Sequence, residues 1–326
     1  MEKNIFKKIK KYLPIIGIII FIYLIYSLGI NDIYKSFQSV NPIYIIITLS
    51  LTFPRVIIRN IAWQQIQREH KIKLKFWQSL KIFLIGFFYG SITPGYIGQL
   101  MRIPYMKEIT NEPYGKLFVN STIESIVHTF SMFCMILLGA FLVIGSYPEL
   151  FSISVVWIVI MILILLFFIK KERGEKFFLT LIRILIPKSL RKNINKFVST
   201  FYNEFPKPYR LLPPLLVGVI TWIIIFSQEY IIIMAMDIHI PYLHFLLLFP
   251  VANAMGFIPI SPAGLGVREL TSIFIFNTLF GISEADIFVF TLLGFLVTDV
   301  FTGFIGFLVS IGETRYKKLG VNQVES

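Results

Sequence analysis

The sequence holds a single cysteine, Cys134, so no intramolecular disulfide can form. It has no CxxC or HExxH spacing and no G-x-S-x-G elbow, and no metal or cofactor is expected. The phosphate loop G-x-x-x-x-G-K-[ST] is missing as well, which argues against ATP-driven pumping by this chain alone. Charge is scarce, with Asp, Glu, Lys and Arg making up 15% of residues. The longest polar stretch, 170–210, spans only about 40 residues, less than a catalytic domain usually needs.

What fills the chain instead is apolar: 56% of residues are hydrophobic and the mean hydropathy is +0.75. A soluble core of this size could not hide that much apolar surface from water. Several runs reach the roughly 17 to 25 residues that a helix needs to cross about 30 Å of hydrocarbon, and such lengths exclude the short alternating strands of a β-barrel. The expected fold class is therefore all-α, a polytopic helical membrane protein. The net charge of +13 would suggest nucleic acid in a soluble chain. Here the bases lie beside apolar runs, where they set topology and meet anionic lipid heads, so no nucleic-acid partner is expected.

Lys3, Lys7, Lys8, Lys10 and Lys11 place the N-terminus in the cytoplasm by the positive-inside rule. A retained first helix is expected over about 13–29, a basic-poor outer loop after it, and a second helix over about 42–63. Residues 76–114 then read as a re-entrant hairpin turning at Thr93-Pro94-Gly95, because Arg102, Lys107 and Lys116 belong inside. Helices over 117–145 and 151–169 lead to the basic segment 170–210, with eleven Lys/Arg against three Glu. Within it Leu190, Ile194, Phe197, Val198, Phe201 and Phe205 fall at helical spacing, as in an amphipathic helix on the anionic inner leaflet; a solvated loop is the alternative. A helix over 211–236, a second hairpin over 242–281 and a last helix capped by Ser283 and Asp286 return the C-terminus to the cytoplasm. The total is about six full spans and two re-entrant hairpins, in a membrane half 1–169, a linker 170–210 and a membrane half 211–326.

The two interruptions share a pattern. Thr93-Pro94-Gly95-Tyr96-Ile97-Gly98 and Ser261-Pro262-Ala263-Gly264-Leu265-Gly266 are both [ST]-P-x-x-x-G, each with an arginine downstream, Arg102 and Arg268. Opposite entry faces make them an inverted repeat. Proline stops a helix and glycine permits the turn, so each break is expected to free a helix N-terminus near Gly98 or Gly266. Unpaired N–H groups, the helix dipole and an arginine suit an anion, phosphate first. Kinked helices whose arginines snorkel to an interface are the plainer alternative.

Other polar residues sit in apolar runs. Arg55 and Arg59 are four apart, and either one snorkels or serves a pathway. Glu124 and His128 share a helix face and need mutual hydrogen bonding or an arginine partner; a proton relay and a structural pair stay open. Glu229 and Asp299 are single acids in long apolar stretches and count as functional candidates. Gly294, Gly303 and Gly306 are expected only to permit close helix packing.

At the two interruptions the chain resembles the lysylphosphatidylglycerol synthase/flippase transmembrane family, whose halves carry motifs similar to PGxxGExxR and PxGLGxRE. The first copy here runs from Pro94 to Arg102 with Gln99 at the usual acid, and the second runs from Pro262 to Glu269. The resemblance implies a translocase that moves a phospholipid between leaflets. The aminoacyltransferase domain of bifunctional members is not in this chain, so lipid synthesis is not expected. On that reading Pro94, Gly95, Gly98, Arg102, Pro262, Gly264, Gly266 and Arg268 bind a lipid phosphate near the midplane. Arg55, Glu124, His128, Glu229, Glu269 and Asp299 then line a polar pathway or balance charge. The partners expected are membrane lipids, with anionic inner-leaflet lipids at 170–210. Two other classes stay open: a non-transporting partner that presents polyprenyl-phosphate or glycolipid to a separate glycosyltransferase or lipid-modifying enzyme, and a proton-coupled exporter of a small anion.

Overall fold

The computed structural model describes residues 18–143, 206–256 and 264–324, with positions 145, 155, 159, 200, 203 and 204. The N-terminal lysines, most of the expected helix over 151–169, most of the basic linker 170–210, and Pro262 lie outside the described residues. Among the described residues every element is a helix and no strand occurs.

In chain order the elements are α1 (Ile18–Leu28), α2 (Ile30–Gln38), α3 (Pro42–Ser50), α4 (Thr52–Glu69) and α5 (Phe76–Ser91). A 3-10 turn, Ile97–Met101, leads into α6 (Arg102–Thr110), and α7 is Tyr114–Val143. A second 3-10 turn, Pro208–Leu211, precedes α8 (Leu212–Ala235), then α9 (Tyr242–Met255), α10 (Val267–Phe280) and α11 (Glu284–Phe295). A π-helical turn, Leu296–Val300, joins α11 to α12 (Phe301–Val324).

Among the described residues, four helical runs are long and apolar enough to cross a membrane: Pro42–Glu69, Tyr114–Phe141, Tyr209–Ala235 and Glu284–Gly312. Large apolar side chains such as Ile22, Ile46, Phe53, Phe274, Phe304 and Leu308 are exposed on the helices, a surface that hydrocarbon tolerates and water does not. The outer loop expected after the first helix is instead α2, set at 85° to α1 across Gly29. Asp32 and Lys35 pair on its exposed face at 3.1 Å, and Ser36 donates to Asp286 Oδ1 at 2.6 Å. The expected helix 42–63 is two helices, interrupted at Leu51, and the second continues to Glu69.

The described residues gather into two compact units. One draws on Met1–Ile58, Trp77–Met101 and Ile220–Ser326, the other on Arg59–Phe76 and Arg102–Val219. The first has an aromatic core in which Phe245, Phe249, Phe276 and Phe290 pack with ring centroids 4.9 to 6.3 Å apart. Edge-on and stacked pairs of this kind hold α9, α10 and α11 together beyond the effect of burial alone. Local signals start these helices where the sequence predicts. Asn41 accepts from Ile43 N–H ahead of α3, and Ser283 accepts from Asp286 N–H ahead of α11. The second unit packs Ile66, Val119, Ile123 and Val127 with Leu211 and Leu215.

Candidate functional site

In the first unit a set of ionisable side chains is buried among membrane-type helices: Arg55 on α4, Glu229 on α8, Arg268 and Glu269 on α10, and Asp299 in the π-turn, each no more than 8% exposed. Burial of so many charges is costly unless they are paired, and here most of them are. Arg268 Nη2 donates to Glu269 Oε1 at 2.8 Å and to the Thr291 carbonyl at 3.1 Å. Its Nη1 stands 3.9 Å from Asp299 Oδ2, beyond hydrogen-bond length, and its buried Nε has no hydrogen-bond partner. The guanidinium also faces the Phe295 ring at 5.4 Å. Arg55 Nη2 donates to the Thr298 carbonyl at 2.9 Å and to Thr302 Oγ1.

Asp299 is the meeting point of the two sequence motifs. The Tyr96 phenol from the first interruption donates to its Oδ1 at 2.8 Å, and the second motif's Arg268 approaches Oδ2. A π-turn is uncommon within a helix and frequently marks a functional site; this one carries Asp299. Glu229 differs from its neighbours. Its Oε2 has no hydrogen-bond partner and lies against Gly294, where an added Cβ would collide with it.

A helix does start after Gly266, as expected, but at each break the glycine N–H already has a side-chain partner. At α10, Gly266 N–H donates to Glu269 Oε2 at 2.6 Å, so the chain's own carboxylate occupies the position expected for a ligand. At the first break, Gly98 N–H donates to Thr93 Oγ1 at 2.8 Å, and the α-helix starts at Arg102 after the 3-10 turn. The reason is common to both. A donor buried without water needs a partner, and a nearby side chain supplies one. The glycines follow the backbone requirement: Gly264 and Gly266 have φ +78° and +87°, and a Cβ on Gly264 would strike Gly256. In the first break Gly95 and Tyr96 have positive φ, 61° and 56°, after Pro94, and Gly98 sits so close to the Tyr89 carbonyl that no Cβ fits.

In the second unit Glu124 takes an arginine on each oxygen. Arg102 Nη1 donates to Oε2 at 2.8 Å and Arg59 Nε to Oε1 at 3.3 Å. These arginines are the partners that Glu124 needed, and Arg59 does not simply snorkel. His128, one turn further along α7, is buried. The Arg102 guanidinium lies 4.9 Å from the Trp63 ring centre, and Trp63 Nε1 donates to Asn120 Oδ1 at 2.8 Å. Asn120 Nδ2 is 3.0 Å from His70 Nδ1, and His70 Nε2 is 2.9 Å from the Glu204 carbonyl. His70 Nδ1 is also 2.9 Å from the Ile66 carbonyl, so each ring nitrogen faces a carbonyl oxygen. Burial holds the His70 imidazole below its usual value of 6.5, against the pull of the Ile66 and Glu204 carbonyls.

Sequence reasoning did not single out Tyr96, Thr298, Thr302, Trp63, Asn120 or His70. For Tyr96 a signal was present, since an aromatic residue between Gly95 and Gly98 in a break has no helical packing role. The others read as ordinary polar residues along helices.

Residues 14–306 match the family described as the lysylphosphatidylglycerol synthase TM region. A UPF0104 membrane protein of Methanocaldococcus jannaschii is 21% identical over 314 residues, covering 92% of this chain and 93% of that protein. A UPF0104 membrane protein of Methanothermobacter thermautotrophicus is 19% identical over 297 residues, covering 82% of this chain and 85% of that protein. The match to the family runs through both interruptions and nearly all of the described helices: this chain belongs to the lysylphosphatidylglycerol synthase transmembrane-region family.

Proposed function

We propose that the protein is a flippase-like translocase of the cell membrane that moves a phospholipid or related lipid phosphate between leaflets, with both termini cytoplasmic. The observation that carries the reading is Arg268. It is buried among membrane-type helices, yet its Nε is unpartnered and its Nη1 is too far from Asp299 for a hydrogen bond. A phosphate oxygen reaching those donors replaces a long contact with a short, charge-assisted one. Glu269 meanwhile keeps the α10 N-terminus and Nη2 in place. Asp299, released by Arg268, retains the Tyr96 phenol. Headgroup entry is thus an exchange of partners among buried charges, which avoids exposing an unpaired arginine to hydrocarbon. Pro94, Gly95, Gly98, Gly264 and Gly266 shape the two turns. Arg102 with Glu124 and His128 forms a second polar locus in the other unit.

An apolar groove of about 390 Å³ in the first unit adds support, with Phe88, Phe295, Phe304 and Phe307 in its lining. Phe295 also carries Arg268 on its ring, so an apolar chain and a phosphate have neighbouring places in that unit.

The test is dithionite quenching of fluorescent phospholipids in proteoliposomes. Bleaching beyond the outer-leaflet half supports translocation. Bleaching equal to that of empty vesicles for anionic, zwitterionic and polyprenyl-phosphate lipids overturns it, and lipid that copurifies without moving then points to a presenting role.

A further inference from the structure

The buried cluster of the first unit does not balance in charge. Arg55 and Arg268 bring two positive charges, while Glu229, Glu269 and Asp299 bring three carboxylates, all at most 8% exposed. A net buried charge away from water is expensive, and one proton removes it. The hydrogen bonds single out where that proton belongs. Glu269 receives Gly266 N–H and Arg268, and Asp299 receives the Tyr96 phenol with the Thr298 hydroxyl 3.1 Å from Oδ2. Both carboxylates therefore already have hydrogen-bond donors. Glu229 Oε2 has no such donor. The charged groups acting on Glu229 are Arg268, Asp299, Arg55 and Glu269. Among the described residues no group of three or more His, Cys, Asp or Glu is placed to hold a metal ion.

We propose that Glu229 is a proton-binding site that couples headgroup exchange at Arg268 to proton movement. The coupling rests on the translocase reading; the proton site itself does not. When a phosphate takes Arg268 away from Asp299, the cluster, already neutral with a proton at Glu229, gains negative charge and holds that proton more tightly. When the phosphate leaves, the proton is free to leave with it. No covalent bond other than O–H is made or broken, and the proton comes from and returns to water.

Two measurements separate the parts. Infrared spectra of the full chain in nanodiscs at neutral pH are expected to show the C=O stretch of a neutral carboxylic acid that is absent in Glu229→Gln and shifted in Glu229→Asp. No such band, or an unchanged band in Glu229→Gln, overturns the proton site. In proteoliposomes with the membrane potential clamped, one proton per lipid sustains about a tenfold asymmetry of labelled phospholipid between leaflets per pH unit imposed. In Glu229→Gln the distribution is expected to ignore the gradient. Lipid that moves in the wild type without responding to the gradient overturns the coupling. No lipid movement under any gradient, with the infrared band present, overturns the translocase reading and its coupling while supporting the proton site.

Discussion

The Tyr96 phenol donates to Asp299 Oδ1 at 2.8 Å, joining the first interrupted stretch to a π-turn 203 residues away in sequence. Tyr96 makes the reach with a positive φ of 56°, an uncommon and costly state for a residue with a side chain. Replacing Tyr96 with Phe removes only the hydroxyl. The expected loss is about 1 to 3 kcal/mol of stability, since a buried carboxylate oxygen loses a donor. Chemical denaturation in detergent measures it, and translocation is expected to slow with it.

Glu124 offers a sharper change. Glu124→Gln leaves Arg102 and Arg59 without their shared carboxylate, and breaking a buried pair of this kind costs about 3 to 5 kcal/mol. A large drop in melting temperature is expected, read by fluorescence-detected size exclusion. A small change would mean that the two arginines have little dependence on Glu124.

Two glycines make a matched pair. A Cβ at Gly294 would collide with Glu229, whereas one at Gly312 would meet nothing within 4 Å. Gly294→Ala is expected to destabilise by about 1 to 3 kcal/mol through overpacking. Gly312→Ala is expected to stabilise slightly, by up to about 1 kcal/mol, through helix propensity. Equal effects would show that Gly294 is an ordinary packing glycine.

Arg268 tests the anion site. Lysine keeps the charge but loses the planar set of donors that spans Glu269, Thr291 and the unpartnered Nε. Arg268→Lys is expected to lower phospholipid translocation by about tenfold or more, on the scale of one charge-assisted hydrogen bond. Wild-type rates in the Arg268→Lys variant would place the phosphate elsewhere; the assay is dithionite quenching.

His70 lies just past the Pro42–Glu69 run and sets a pH dependence. Its folded-state value is lowered from 6.5 by burial, so the neutral form is favoured in the fold. The unfolded chain binds the proton first as pH falls. Stability is therefore complete above the unfolded value of 6.5 and is lost as pH drops from there toward the folded value. The slope is at most about 1.4 kcal/mol per pH unit for one proton. Melting temperatures from about pH 8 to about pH 5 are expected to fall more steeply for the wild type than for His70→Gln.

Class and composition were legible because a bilayer imposes one rule on every residue of a span: it must be apolar or have a partner. Long apolar runs at Tyr114–Phe141, Tyr209–Ala235 and Glu284–Gly312 announce themselves in any window. So do the two interruptions, since proline and glycine act locally on the backbone. The helix over Ile30–Gln38 was not legible, because its short mixed sequence resembles a loop until Ser36 meets Asp286.

Hydropathy and backbone chemistry are properties of short segments and need no distant partner to be read. From them alone follows an all-α membrane protein with two broken stretches, each followed by an arginine. Which charges neutralise which is a matter of packing: Arg268 meets Glu269, Arg102 and Arg59 share Glu124, and Glu229 is left with an oxygen to spare. Such pairing depends on distances of a few ångströms between residues far apart in the chain, and those distances exist only once the helices have packed.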